Sequence, residues 1–123
     1  MIAAPKKILV AEGNEIIVVL IAHLLTRNSY VVHTTVDTQE AERMLLQEPY
    51  DAALIDLANG GAEMIRRVSD RLPKLMARVI ALTAKPEDAV HLQGVCAVVK
   101  KPFVTDQLLD TVRECTHGHG PQR

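Results

Sequence analysis

Short apolar runs rich in Val, Ile, Leu and Ala alternate with longer segments of helical period, and the alternation repeats five times along the chain. This pattern predicts an α/β domain on a parallel sheet, because consecutive parallel strands need helical crossovers between them. Lys7 to Ala11 reads as the first strand and Glu15 to Arg27 as a helix, with Asn28-Ser29 suited to ending it. Tyr30 to Thr35 alternates like an edge strand, and Thr38 to Gln47 is a helix that Pro49 stops. Ala52 to Ile55 is a third strand ending at Asp56, and the Asn59-Gly60-Gly61 turn leads into a helix over Ala62 to Leu72. Arg78 to Leu82 is the fourth strand, ending at Thr83. A short helix is expected over Pro86 to Gln93, closed by Gly94. Val95 to Val99 is the fifth strand, and Thr105 to Cys115 the last helix, with Thr105 as its cap. The domain is expected to span residues 1–117, with 118–123 as a disordered tail.

Helix one is apolar nearly all round. A stripe of Ile16, Leu20 and Leu24, with Ile21 and Leu25, is enough to cover a sheet, which leaves Ile17, Val18 and Val19 in excess. Val18 and Ala22, bordered by Glu15 and His23, are therefore expected to form an exposed apolar patch for a partner or for self-association.

Composition narrows the function. The chain of 123 residues has room for one core, and its single Phe, two Tyr and no Trp make that core aliphatic and leave almost nothing on which to stack bases. A formal charge of −1 argues against binding nucleic acid or an acidic membrane surface. The apolar run Ile16 to Ala22 is far shorter than the roughly 20 residues of a membrane span. Lys6-Lys7 is followed by a short run and then polar Glu12 to Glu15, unlike a secretory signal, so a cytoplasmic setting is expected. Cys96 and Cys115 have no metal-type spacing and read as ordinary buried thiols. His23, His33 and His91 fall in different elements and suggest no ligand set.

In a parallel α/β sheet the carboxyl ends of the strands share one edge, where ligands bind. The pattern puts Glu12, Asp56, Thr83 and Lys101 there, each directly beyond an apolar run. Each also has an ordinary use: Asp56 as a turn residue, Lys101 beside Lys100 as a solvated pair, Glu12 as a surface acid. A nucleotide site is disfavoured, since no glycine-rich loop follows strand one and Glu12-Gly13-Asn14-Glu15 would repel a phosphate.

Four pieces in order carry a family resemblance: Lys6-Lys7-Ile8-Leu9-Val10-Ala11-Glu12-Gly13-Asn14-Glu15, Tyr50-Asp51-Ala52-Ala53-Leu54-Ile55-Asp56-Leu57, Val79-Ile80-Ala81-Leu82-Thr83-Ala84 and Val98-Val99-Lys100-Lys101-Pro102-Phe103. With them the chain resembles the receiver domain of two-component response regulators. The resemblance implies a flavodoxin-like, doubly wound (βα)5 fold with strand order 2-1-3-4-5. It implies that Asp56 is a phosphoacceptor, attacking a phosphohistidine presented by a histidine kinase or phosphotransferase, with Thr83 and Lys101 contacting the phosphoryl group. Glu12 and Asp56 would hold Mg²⁺. Such a domain is a signalling switch in a phosphorelay rather than an enzyme, at most catalysing its own phosphorylation and dephosphorylation.

The chain departs from the family at the second acidic position, which is Gly13, and at the aromatic position three before the lysine, which is Val98. The segments after Asp56 and between Thr83 and Lys101 are also shortened. Weak Mg²⁺ binding is therefore expected, with Glu15 as a substitute ligand one helical step away. The alternative is a phosphorylation-independent pseudo-receiver that acts through protein contacts alone.

Overall fold

The computed structural model describes residues 4–118. Its elements run β1 (Lys7–Ala11), α1 (Glu15–Thr26), β2 (Val31–Thr35), α2 (Thr38–Gln47), β3 (Ala52–Asp56), α3 (Gly61–Arg71), a 3-10 segment (Pro73–Arg78), β4 (Val79–Thr83), a 3-10 turn (Pro86–Ala89), β5 (Ala97–Lys100), α4 (Thr105–Arg113) and a π turn (Glu114–Gly118). The strands form one parallel sheet in the order β2-β1-β3-β4-β5, the flavodoxin-like order. The expected tail lies, from residue 119 on, outside the described residues.

Period-two alternation sorts the strand side chains into two layers. Leu9, Ala53, Ile55 and Ala81 face α2 and α3 and pack with Leu45, Met64, Ile65 and Val68. Ile8, Val10, Leu54, Ile80 and Leu82 face α1 and α4 and pack with Ile21, Leu25, Leu108 and Val112. Both faces of the central strands are covered, so β1, β3 and β4 are almost wholly apolar. Two helices start as local chemistry dictates. Asn14 Oδ1 accepts from the N–H groups of Ile16 and Ile17 at 2.9 and 3.3 Å, and Asp37 Oδ1 from Gln39 N–H at 2.9 Å. Ser29, at φ 73°, takes the left-handed conformation just beyond α1.

Four expectations are corrected. The first concerns the face that α1 buries: Val18, Ile21 and Leu25 point into the core and Ile17 and Ala22 are half-buried, while Ile16, Val19 and Leu20 are 80, 67 and 46% exposed. An all-apolar helix carries no phase in its periodicity, so packing against β1 and α4 chooses the stripe. The proposed Val18 and Ala22 patch is therefore displaced to Ile16, Val19 and Leu20. Val18→Lys should cost about 2–4 kcal/mol by burying a charge, and Val19→Lys should stay within about 0.5 kcal/mol. Urea unfolding of the two variants checks the difference.

Second, the segment expected as a helix over Pro86 to Gln93 is only the 3-10 turn Pro86–Ala89, and β5 starts at Ala97 rather than Val95. Few residues separate Thr83 from β5, and Gly94 at φ 97° turns the chain early. Third, Thr105 lies inside α4; Val104 is the cap residue and supplies no side-chain bond. Fourth, Cys96 and Cys115 are joined in a disulfide. Their Cα atoms are 6.1 Å apart, within bonding range, because the sheet puts the start of β5 beside the end of α4.

Candidate functional site

Three strand ends and one loop build the site at the carboxyl edge of the sheet. Glu12 follows β1 and is only 2% exposed, its backbone N–H bonded to Thr35 C=O at 3.2 Å. Asp56 ends β3, and its Oδ1 accepts from Ala58 N–H at 3.2 Å, which fixes the carboxylate over the start of the following loop. Lys101 follows β5, held in register by its N–H bond to Thr83 C=O at 2.8 Å and preceding a cis peptide bond to Pro102. From there its Nζ donates to Glu12 Oε1 and Oε2 at 3.1 and 3.4 Å and lies 3.4 Å from Asp56 Oδ1. Glu12 Oε2 also accepts from Asn14 N–H at 3.1 Å.

One ammonium thus bridges two carboxylates. A buried charge persists only when paired and hydrogen-bonded, and Glu12 is both. The formal sum of the three groups is −1, so the cluster still attracts a cation. It is less negative than it would be with a carboxylate in place of Gly13.

Of the residues expected here, the fold gathers Glu12, Asp56 and Lys101. Thr83 reaches the same edge, buried at 4% exposure, but its hydroxyl donates to Lys85 C=O at 3.1 Å and accepts from Lys85 N–H at 3.0 Å, closing a turn of its own. Glu15 stays exposed on the first turn of α1. Among the described residues, no three His, Cys, Asp or Glu side chains gather in a metal-holding group.

A small cavity of about 20 Å³ lies beside the carboxylates, lined by Glu12, Gly13, Asp37, Asp56, Ala58 and Asn59, among others. Asn59 went unnoticed in the sequence except as part of a turn. It adopts φ 55°, and its amide nitrogen lies 3.5 Å from where a Cβ on Gly13 would stand. The Asn-Gly-Gly run was the available signal, since Asn and Gly are the residues that tolerate left-handed backbone. Glu12 and Asp56 offer hard oxygen donors and the cluster keeps a net negative charge, the donor chemistry that a Mg²⁺ ion would take. A larger cavity of about 760 Å³ opens by Ala4, Lys6, Tyr30 and Arg113, at the opposite, amino edge of β1.

The response regulator receiver domain family matches residues 8–113. The chain belongs to this family. Its place in two-component signalling and its flavodoxin-like fold follow from that membership. Among curated relatives, the receiver is 32% identical over 97 residues to the hydrogenase transcriptional regulatory protein HoxA of Cupriavidus necator, covering 74% of this chain and 20% of HoxA. It is 30% identical over 114 residues to the phosphate regulon transcriptional regulatory protein PhoB of Rhizobium meliloti, covering 87% of this chain and 50% of PhoB. It therefore spans between a fifth and half the length of these two proteins. The response regulator TrrA of Thermotoga maritima, solved in complex with Mg²⁺ and BeF, shares the fold at a TM-score of 0.79 and 23% identity, over 89% of this chain and 98% of TrrA. Among the described residues of the receiver, no helix is long and apolar enough to cross a membrane.

Proposed function

We propose that the receiver, residues 1–117, accepts a phosphoryl group on Asp56 from a phosphohistidine of a histidine kinase or phosphotransferase, in a cytoplasmic setting. The observation that carries this reading is the Lys101 ammonium shared by Glu12 and Asp56 at the carboxyl edge of the sheet. An Asp56 carboxylate oxygen attacks phosphorus, the phosphorus–nitrogen bond breaks, and its electron pair returns to the imidazole. An acyl phosphate remains on Asp56. Carboxylate and phosphoryl group repel, so positive charge must meet the equatorial oxygens as they develop charge. Lys101 supplies one such charge by swinging from Glu12 to a phosphoryl oxygen. Thr83 supplies a hydroxyl donor once it leaves Lys85.

Glu12 and Asp56 would hold Mg²⁺, which when bound supplies further neutralisation of that charge. Gly13 removes one carboxylate from the set, and Lys101 already occupies both oxygens of Glu12, so metal binding is weakened. The partner's helical bundle docks on the outer side of α1, where Ile16, Val19 and Leu20 form an exposed apolar patch close to the acceptor edge.

A second reading, a pseudo-receiver acting through contacts alone, is favoured by that same patch together with the missing acid at Gly13. Incubation with a small phosphodonor and saturating Mg²⁺, followed by intact mass, separates the two. The expected result is an acid-labile gain of one phosphoryl group in the wild type and none in Asp56→Asn. Equal labelling of both proteins would overturn the acceptor assignment. Labelling of neither would establish the contact-only reading.

A further inference from the structure

The Cys96–Cys115 bond lies outside the phosphoacceptor cluster and has no part in the chemistry above. It ties residues 19 apart in sequence, one just before β5 and the other in the π turn that ends α4. The π turn is the unusual part. Departures from α-helical hydrogen bonding inside or at the end of a helix often mark functional positions, because they re-aim side chains that a regular helix would send elsewhere. Here Cys115 and Thr116 both point inward, 2 and 6% exposed. Thr116 Oγ1 bonds Val112 C=O at 2.8 Å and lies 3.3 Å from the Tyr30 hydroxyl.

Disulfides are needed where a domain is too small to build a core. This domain has two complete apolar layers, and α4 already buries Leu108, Leu109 and Val112. The bond is therefore not required to close the fold. It is also asymmetric: Cys115 is enclosed, whereas Cys96 is only half-buried where it packs against the same core, which makes it the more accessible of the two.

We propose that Cys96 and Cys115 form a reversible thiol–disulfide site that fastens the end of α4 to the sheet when oxidised and releases it when reduced. In reduction, a thiolate of glutathione or of a dithiol reductant attacks Cys96 Sγ. A mixed disulfide forms on Cys96, the Cys96–Cys115 bond breaks, and its electron pair leaves on Cys115 Sγ, which takes a proton. A second reductant thiol resolves the mixed disulfide, so the protein gains two thiols while the reductant becomes its own disulfide. Oxidation reverses the sequence, with a low-molecular-weight disulfide such as oxidised glutathione taking the two electrons. In a reducing compartment the thiol form is the resting one, and formation of the bond is the signal. Cys96 lies just before β5, the strand that leads to Lys101, so fastening it to the end of α4 constrains the strand that positions the Lys101 ammonium. The proposal does not depend on phosphorylation of Asp56.

The test equilibrates the intact protein in glutathione buffers from about 1:10 to about 1000:1 reduced to oxidised. Free thiols are alkylated and counted by mass, and melting temperature and amide exchange are recorded at both ends of the range. The expected count passes from none to two within the range. Reduction should lower the melting temperature by about 10 °C, since a link closing a loop of this length constrains the unfolded chain. It should also speed exchange in residues 105–113 at least about tenfold. The double variant Cys96→Ser/Cys115→Ser should show the lower melting temperature in every buffer. Two free thiols at every ratio, or none at any, would overturn the proposal. So would reduction that leaves both the melting temperature and α4 exchange unchanged.

Discussion

Gly61→Ala should lower the melting temperature by about 10 °C or more, through a loss of about 3 kcal/mol. A Cβ at this position would stand 1.9 Å from the carbonyl oxygen of Asp56 and 2.9 Å from its carbonyl carbon. Neither atom is the end of a flexible side chain; both belong to the last residue of a central strand, paired with Leu82 of β4. The strain has to be relieved by moving α3, which starts at Gly61 and carries the buried Met64, Ile65 and Val68. A glycine-to-alanine change that fits its surroundings stabilises slightly by restricting the unfolded chain, so the loss would be net of that gain. Gly13→Ala is the control, because its Cβ meets only the Asn59 amide at 3.5 Å, an ordinary contact. Thermal unfolding by circular dichroism measures both. A Gly61→Ala protein within two degrees or so of wild type would mean that α3 slides freely on the sheet. The same displacement moves Asp56, so the variant should also take up a phosphoryl group poorly.

Gly13→Asp should strengthen Mg²⁺ binding by roughly ten- to a hundredfold, the equivalent of about 1.4 to 2.8 kcal/mol. The backbone can accept the side chain: position 13 is exposed, and the added Cβ meets no atom closer than Asn59 Nδ2. The new carboxylate joins Glu12 and Asp56, which raises the negative charge that attracts a divalent cation and supplies a third oxygen donor. Without metal the same substitution should reduce stability, because one ammonium cannot neutralise three carboxylates. Opposite signs for affinity and for metal-free stability distinguish this effect from simple repacking. Calorimetric titration with Mg²⁺ and unfolding in a chelator measure the two. No gain in affinity would mean that Lys101 keeps both carboxylates out of the metal's reach.

Much of the site was legible because a parallel sheet converts sequence order into position. Each of β1, β3 and β4 is an apolar run, and the first polar residue beyond it must emerge at the carboxyl edge, which places Glu12, Asp56 and Thr83 without knowledge of any contact. What these groups do once there was not legible. That Lys101 bridges Glu12 more closely than Asp56, and that the Thr83 hydroxyl is turned to Lys85, depend on rotamers and loop paths that spacing does not encode. Asn59 acquires meaning only from its nearness to Gly13, 46 positions away in the chain.

The sequence by itself determined the alternation of strands and helices and the apolar runs that become the central strands. These rest on local periodicity, information that lies within one segment. The caps at Asn14 and Asp37 came from the structure, and the one cap expected from the sequence, Thr105, lies inside α4. The tertiary structure decided which side of α1 is core. With apolar residues on every side, the buried stripe of Val18, Ile21 and Leu25 is selected by the neighbours it meets. It decided the Cys96–Cys115 pairing, since two thiols bond only when the fold brings their backbones close enough, here 6.1 Å between Cα atoms. It also decided the charge balance of the site, because pairing a buried carboxylate with an ammonium 89 residues away is a property of where strands end in space.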